Sequence, residues 1–152
     1  MFETLLSMLR DIAGLGDPAE AVLDEKVALA ALMVHTIAVD GSATEVERQS
    51  LHDALRNTFR LSTSQTARLV EEARRRDQEA VDLGDFTAIL NRRMDVAGRE
   101  RIVEMLWDLV YADGAAQEVE DAVVGRIADM LGVSAEVRRR LRSRAAATTR
   151  DG

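Results

Sequence analysis

The chain has 152 residues, no cysteine and a formal net charge of −7 at neutral pH. A single domain of this size can bury a stable core, and the absence of cysteine excludes disulfide frameworks, zinc–thiolate sites, iron–sulfur clusters and cysteine nucleophiles. Residues 1–137 contain 14 basic and 26 acidic side chains, whereas residues 138–152 contain six arginines and one aspartate. This acidic body argues against nucleic-acid binding and favours cations or a basic partner.

The N-terminal residues 1–16 are predicted to form a short amphipathic helix. Its apolar stripe consists of Phe2, Leu5, Leu6, Leu9 and Ile12. The segment lacks the positive start of a secretory signal, and no part of the chain approaches the ~18 consecutive apolar residues that a membrane span needs. We therefore expect a soluble, cytoplasmic protein.

The segment that follows is rich in alanine, leucine and valine. Asp17 fits an N-cap and Pro18 the first helical position, where proline is favoured. From there to about Val39 the composition predicts a central, largely buried helical segment, as one helix or two.

Two capping boxes predict the next two helices. Thr44 and Glu47 form the pattern S/T-x-x-E, which opens a helix to about Phe59. Ser62 and Gln65 form the second box, which opens the helix that ends in EEARRRDQE. In both boxes the side chain of the first residue is expected to accept from the backbone N–H of the fourth. The side chain of the fourth residue is expected to accept from the backbone N–H of the first.

Single aspartates are predicted to cap the following helices. Asp82 is placed to cap the short helix LGDFTAILNRRM, and Asp95 a helix that runs to about Ala112. The residues of the second helix expected to point inward are Met105, Leu106, Leu109 and Val110.

Two further helices complete the pattern. One covers about residues 118–131 with Gly132 as its C-cap, and Ser134 caps a last, arginine-rich helix before a tail at 145–152 that we expect to fray. No strand-like alternation occurs. The sequence thus predicts an all-α, compact bundle of about seven to eight helices, with one domain over residues 17–144.

Part of this domain is an internal sequence repeat. A shift of 73 residues aligns LMVHTIAVDGSATEVE with MLWDLVYADGAAQEVE, and the two copies extend over about residues 28–61 and 101–134. Each copy is a unit of helix, acidic turn and helix. We expect the two units to pack about a pseudo-two-fold axis, each covering the apolar face of the other.

Both acidic turns contain Asp-Gly followed by Glu-Val-Glu, and this pattern has a purely structural interpretation. Gly41 and Gly114 can take the left-handed conformation that ends a helix. Glu47 and Glu120 then stand at the third position of the next helix, where a carboxylate reaches free backbone N–H groups. Such a cap contributes roughly 0.5–2 kcal/mol without any ligand.

The same turns also fit a cation site. Asp40 and Glu47 in the first turn, and Asp113 and Glu120 in the second, offer the oxygen ligands that Ca²⁺, Mg²⁺ or Mn²⁺ prefers. They are not EF-hand loops, because the first ligand position would fall on Thr36 in one copy and on an apolar residue in the other. The sequence is compatible with both interpretations, the helix cap and the cation site.

The doubled turns, the segment LGDFTAILN and the stretch LWDLVYADG…RIADMLGVS together resemble the TerB family of bacterial tellurite-resistance proteins, over roughly residues 23–142. The resemblance implies an internally duplicated helical bundle in the bacterial cytoplasm. It also implies a non-enzymatic role in stress responses, within a membrane-associated, metal-linked complex. It places a divalent cation on Asp40, Glu47, Asp113 and Glu120. Relatives often carry further acidic residues within the turns, which this chain replaces with neutral ones.

Other chemistry-bearing residues receive structural interpretations. His35 is expected to be a partly buried structural histidine, and Trp107 with Tyr111 to belong to the core. No catalytic motif such as G-x-S-x-G, H-E-x-x-H or a P-loop is present, so no enzymatic activity is expected. The basic run is Arg138, Arg139, Arg140, Arg142 and Arg144. By default it is a solvated face that neutralises the acidic body, and weak peripheral membrane contact is the alternative.

The functional hypothesis is a non-enzymatic binding or scaffold protein of the stress response that holds a divalent cation at the paired turns. The alternative is a metal-free protein-interaction module that recognises a basic partner through its acidic surface. Both hypotheses involve protein partners and no nucleic acid, and neither specifies an oligomeric state.

Overall fold

The computed structural model describes residues 24–39, 41, 43–112 and 118–151, with backbone alone from residue 148 onward. Within this part of the chain there are seven α-helices and no strand, which confirms the all-α prediction. The helices are α1 (Glu25–Ala38), α2 (Glu45–Phe59), α3 (Thr63–Glu79), α4 (Gly84–Arg93), α5 (Val96–Val110), α6 (Glu118–Met130) and α7 (Ala135–Asp151). The predicted helix over 1–16 and the predicted cap at Asp17 lie outside the described residues.

Both capping boxes are formed as predicted. Thr44 Oγ1 accepts from the Glu47 backbone N–H and Glu47 Oε1 accepts from the Thr44 N–H, each at 3.0 Å. Ser62 and Gln65 make the same reciprocal pair at 3.1 and 2.8 Å. These bonds satisfy N–H groups that a helix start leaves without intrahelical partners.

Asp95 caps α5 as predicted, because its Oδ1 accepts from Gly98 N at 2.8 Å. Asp82 does not cap α4 in the predicted sense. Its Oδ1 accepts from Gly84 N at 2.7 Å, but the N-cap position itself belongs to Leu83, which has no side-chain acceptor. A cap that the sequence analysis did not identify is Asp24, which accepts from a backbone N–H of α1 and starts that helix.

The core is built around α1, which packs against α2, α3, α4, α5 and α6. Ten of its 14 residues are buried, so the predicted central, buried helix is confirmed. Small alanines such as Ala28, Ala30 and Ala31 allow the neighbouring helices to approach it. The α5 residues expected to point inward are all buried: Met105, Leu106, Leu109 and Val110.

The arginine-rich helix α7 packs along α5 and buries Leu141 and Ala145. It continues to Asp151, through residues that the sequence analysis assigned to a tail. The reason is a run of alanines after Arg144, since alanine has the highest intrinsic helix propensity. None of the described helices is long and apolar enough to cross a membrane.

The two sequence repeats show matching burial. Leu32 and Met105 are both buried, whereas Val46 and Val119 are 48 % and 47 % exposed. This agreement is consistent with the predicted duplication. The pseudo-two-fold packing of the two units stays a prediction.

Candidate functional site: the acidic turns

The first acidic turn begins where α1 ends. The Gly41 N–H donates to Ala38 O at 2.9 Å, and Gly41 has φ +77°. This left-handed conformation is the one predicted for Gly41, and it reverses the chain before α2. Asp40, the predicted ligand beside it, lies outside the described residues.

Glu47 is the predicted ligand of this turn that lies within the described residues. Its side chain is 2 % exposed, and one carboxylate oxygen, Oε1, accepts from the Thr44 N–H. The other oxygen, Oε2, is buried and accepts no hydrogen bond from any described residue. A buried carboxylate oxygen without a partner costs free energy, so this position calls for a water, a proton donor or a cation.

Arg48 lies over the outer side of the same turn. Its guanidinium donates to Ala43 O at 3.0 Å and to Glu45 Oε2 at 3.1 Å. These exposed contacts tie the loop to the first turn of α2. In the described structure the guanidinium forms no hydrogen bond or ion pair with Glu47, so it does not satisfy the buried carboxylate.

The second acidic turn follows α5. Asp113 and Gly114 of this turn lie outside the described residues, which end at 112 and begin again at 118. Glu120, in the first turn of α6, is 2 % exposed, as is its counterpart in the first repeat. The next residue, Asp121, accepts from Arg142 Nε of α7 at 2.7 Å. This hydrogen bond raises the pKa of Arg142.

The two turns therefore share a buried glutamate and a nearby guanidinium, but the guanidiniums come from different helices. Arg48 aligns with Asp121 in the repeat. In the first turn the guanidinium belongs to Arg48 of α2 itself. In the second turn α6 has Asp121 at the corresponding position, and Arg142 of α7 supplies the guanidinium.

With this geometry established, comparison with known proteins identifies the family. A family model described as tellurite resistance protein TerB matches residues 26–143. The chain belongs to the TerB family. No curated protein and no solved structure gave a match. The matched region runs from α1 into α7 and includes both acidic turns.

The four cation ligands expected from TerB resemblance fall into two groups. Glu47 and Glu120 are placed at equivalent helix starts, and both are buried. Asp40 and Asp113 lie outside the described residues. Among the residues that are described, no group of three or more His, Cys, Asp or Glu side chains is arranged to hold a metal ion. The fit of a cation rests on Glu47 Oε2, a buried oxygen ligand without a partner at the first turn.

His35 does not lie in either turn, and it is half-buried. Its Nδ1 is 2.9 Å from Asp77 Oδ1, a contact that joins α1 to α3. The predicted partly buried histidine is confirmed, but the partner was not identified from sequence because it stands 42 residues away. Trp107 is fully buried and Tyr111 lies beside it, with ring centroids 6.4 Å apart.

Three of the five arginines in the α7 run form ion pairs with carboxylates on other helices. Arg138 pairs with Asp129 at 2.6 Å, Arg142 with Asp121, and Arg144 with Glu104 at 3.5 Å. Two further arginines of the run, at 139 and 140, are exposed and make no ion pair with described residues. The default interpretation of the run, neutralisation of the acidic body, agrees with these contacts.

Proposed function

We propose that this TerB-family protein is a non-enzymatic binding or scaffold component of a cytoplasmic, tellurite-resistance-type stress response, and that it binds a divalent cation at its acidic turns. Glu47 is the central ligand of the first site and Asp40 its sequence neighbour across the turn. Glu120 and Asp113 form the equivalent pair in the second turn.

One observation carries the cation proposal: the carboxylate of Glu47 is buried while its Oε2 has no partner in the described structure. The Thr44 N–H and the start of α2 stabilise one oxygen of the carboxylate. The other oxygen, Oε2, is buried and has no donor among the described residues. A hard cation such as Ca²⁺, Mg²⁺ or Mn²⁺ accepts carboxylate and carbonyl oxygens together with water, and would restore that balance.

The test is equilibrium unfolding of the full chain in EDTA and in millimolar Ca²⁺, Mg²⁺ or Mn²⁺. An ion present at 100 times its Kd adds ~2.7 kcal/mol to the free energy of unfolding. Glu47→Gln should remove most of this gain, because glutamine keeps the capping hydrogen bond and loses the charge.

The chain offers a matched control for this substitution. Gln65 already occupies the same helix position in the other capping box, where the surroundings are exposed. Gln65→Glu should therefore confer no new dependence on ions. A wild-type protein that unfolds identically in EDTA and in every ion would contradict the cation proposal.

A specific observation also supports the alternative, a metal-free interaction module. Val46 and Val119 are about half exposed, and each directly follows an exposed glutamate at a helix start, Glu45 or Glu118. An exposed apolar side chain beside an exposed acid suits a partner that presents both basic and apolar groups. Val46→Ser together with Val119→Ser should then weaken partner capture and leave ion-dependent stability unchanged.

A further inference from the structure

A cavity of about 610 Å³ lies away from both acidic turns, between α1, α3, α4 and α6. Its volume is within the range of small-molecule sites, roughly 300–1,000 Å³. Its polar lining includes His35, Asp77, Asp82 and Arg126, and its apolar lining includes Leu83 and Met130. None of them has a part in the proposed cation sites.

Two polar groups of the cavity are held in position by the protein. The imidazole of His35 is fixed through Nδ1 by Asp77, which leaves Nε2 without a partner among described residues. The carboxylate of Asp82 is fixed through Oδ1 by the Gly84 N–H at 2.7 Å. Polar groups fixed in this way can bind a ligand with little loss of side-chain freedom.

Arg126 supplies the cationic group. It is exposed on α6 and makes no hydrogen bond or ion pair with any described residue, although Asp77 and Asp82 line the same cavity. A guanidinium can bind a carboxylate through two parallel hydrogen bonds. It therefore remains available for a ligand.

Asp77 of the lining is already paired with His35, which leaves Asp82 and Arg126 as one charge of each sign. This balance selects neither a simple anion nor a simple cation. It fits a molecule that carries both charges, with its carboxylate on Arg126 and its ammonium on Asp82.

The remaining surface of the cavity is aliphatic. Of the apolar lining residues, Leu83 is buried, Met130 is partly buried and Val81 is fully exposed. These residues can cover an aliphatic side chain of a bound molecule, which is the usual division of labour in ligand sites.

We propose that this cavity binds a zwitterionic ligand of the amino-acid type, either a free aliphatic amino acid or a short aliphatic peptide. The carboxylate lies on Arg126, the ammonium group on Asp82, and the side chain on Val81, Leu83 and Met130.

Isothermal titration of the full chain with L-leucine and with L-leucyl-L-leucine separates the two sources. The C-terminal amide and the N-acetyl form of the better ligand should each bind about tenfold more weakly or worse. Arg126→Gln should weaken the free acid by a similar factor and leave the amide unchanged. Asp82→Asn retains an acceptor for the Gly84 N–H. It should weaken binding of the ligand with a free ammonium group by a similar factor and leave binding of the N-acetyl form unchanged.

Arg139→Gln is the matched control, because Arg139 is an exposed arginine outside the cavity. It should leave every affinity unchanged. Two results would overturn the proposal: no binding of either probe at millimolar concentration, or equal affinities for Arg126→Gln and Arg139→Gln. Unchanged circular dichroism in each variant shows that the loss of affinity is not a loss of fold.

Discussion

Removal of the Thr44 hydroxyl tests how the first acidic turn is stabilised. Thr44→Ala deletes the acceptor of the Glu47 backbone N–H, in a box whose glutamate is buried. Loss of an N-cap costs ~0.5–2 kcal/mol, and a partly buried donor left without a partner belongs at the upper end of that range. Ser62→Ala removes the same bond from an exposed box, where water can replace the hydroxyl.

We therefore expect Thr44→Ala to lower the free energy of unfolding by ~1.5–2 kcal/mol and Ser62→Ala by ~0.5–1 kcal/mol. In a chain of this length ~1 kcal/mol corresponds to about 2–4 °C in Tm. The two variants should thus lose about 3–8 °C and 1–4 °C.

The assay is urea unfolding followed by far-ultraviolet circular dichroism, with EDTA present so that ions do not contribute. Thr44→Ser restores the hydroxyl and should recover most of the loss. The reasoning is refuted if Ser62→Ala costs as much as Thr44→Ala, or if Thr44→Ser is as unstable as Thr44→Ala.

The remaining predictions concern two glycines and one aspartate. Gly41→Ala should destabilise by ~1 kcal/mol, because alanine is strained at φ +77° although its Cβ would meet no atom within 4 Å. Gly125→Ala, in the interior of α6 and equally free of clashes, should instead stabilise by ~0.5–1 kcal/mol, and urea midpoints with opposite shifts would check both. Asp108 is exposed, but partial desolvation by the surrounding protein, reinforced by the Glu104 carboxylate, raises its pKa. Its proton is held more tightly in the folded state, so stability is lost as pH rises above about 4, the ordinary value for aspartate. Asp108→Asn should stabilise the protein near pH 7 and give no gain below about pH 4, and an equal gain at both pH values would contradict this.

The helices and their caps were predictable because their signals are local. Thr44 with Glu47, and Ser62 with Gln65, lie within four residues of each other, and the backbone they cap lies between them. Asp82 shows the limit of this reasoning. An aspartate just before a helix predicts an N-cap at that residue. The N-cap of α4 instead falls one residue later, at Leu83, whose side chain is buried in the core.

The candidate sites were predictable only in part. The sequence identified Glu47 through its repeat, but its burial depends on how α2 packs in the tertiary structure. The cavity was not foreseen at all. His35 meets Asp77 across 42 residues, and Arg126 joins them from α6, so no spacing in the chain reports their proximity. Partners this distant in sequence become visible only once the helices are packed.

The packing of α7 on the bundle also determines the electrostatic field of the protein at long range. Along the chain, residues 1–137 are net acidic and residues 138–152 net basic, but folding places Arg138, Arg142 and Arg144 against carboxylates. The fields of such pairs largely cancel beyond a Debye length, ~8 Å at physiological salt. Detachment of α7 from the bundle would therefore expose Leu141 and Ala145. It would also separate the paired charges and give the protein a net basic helix beside a net acidic body.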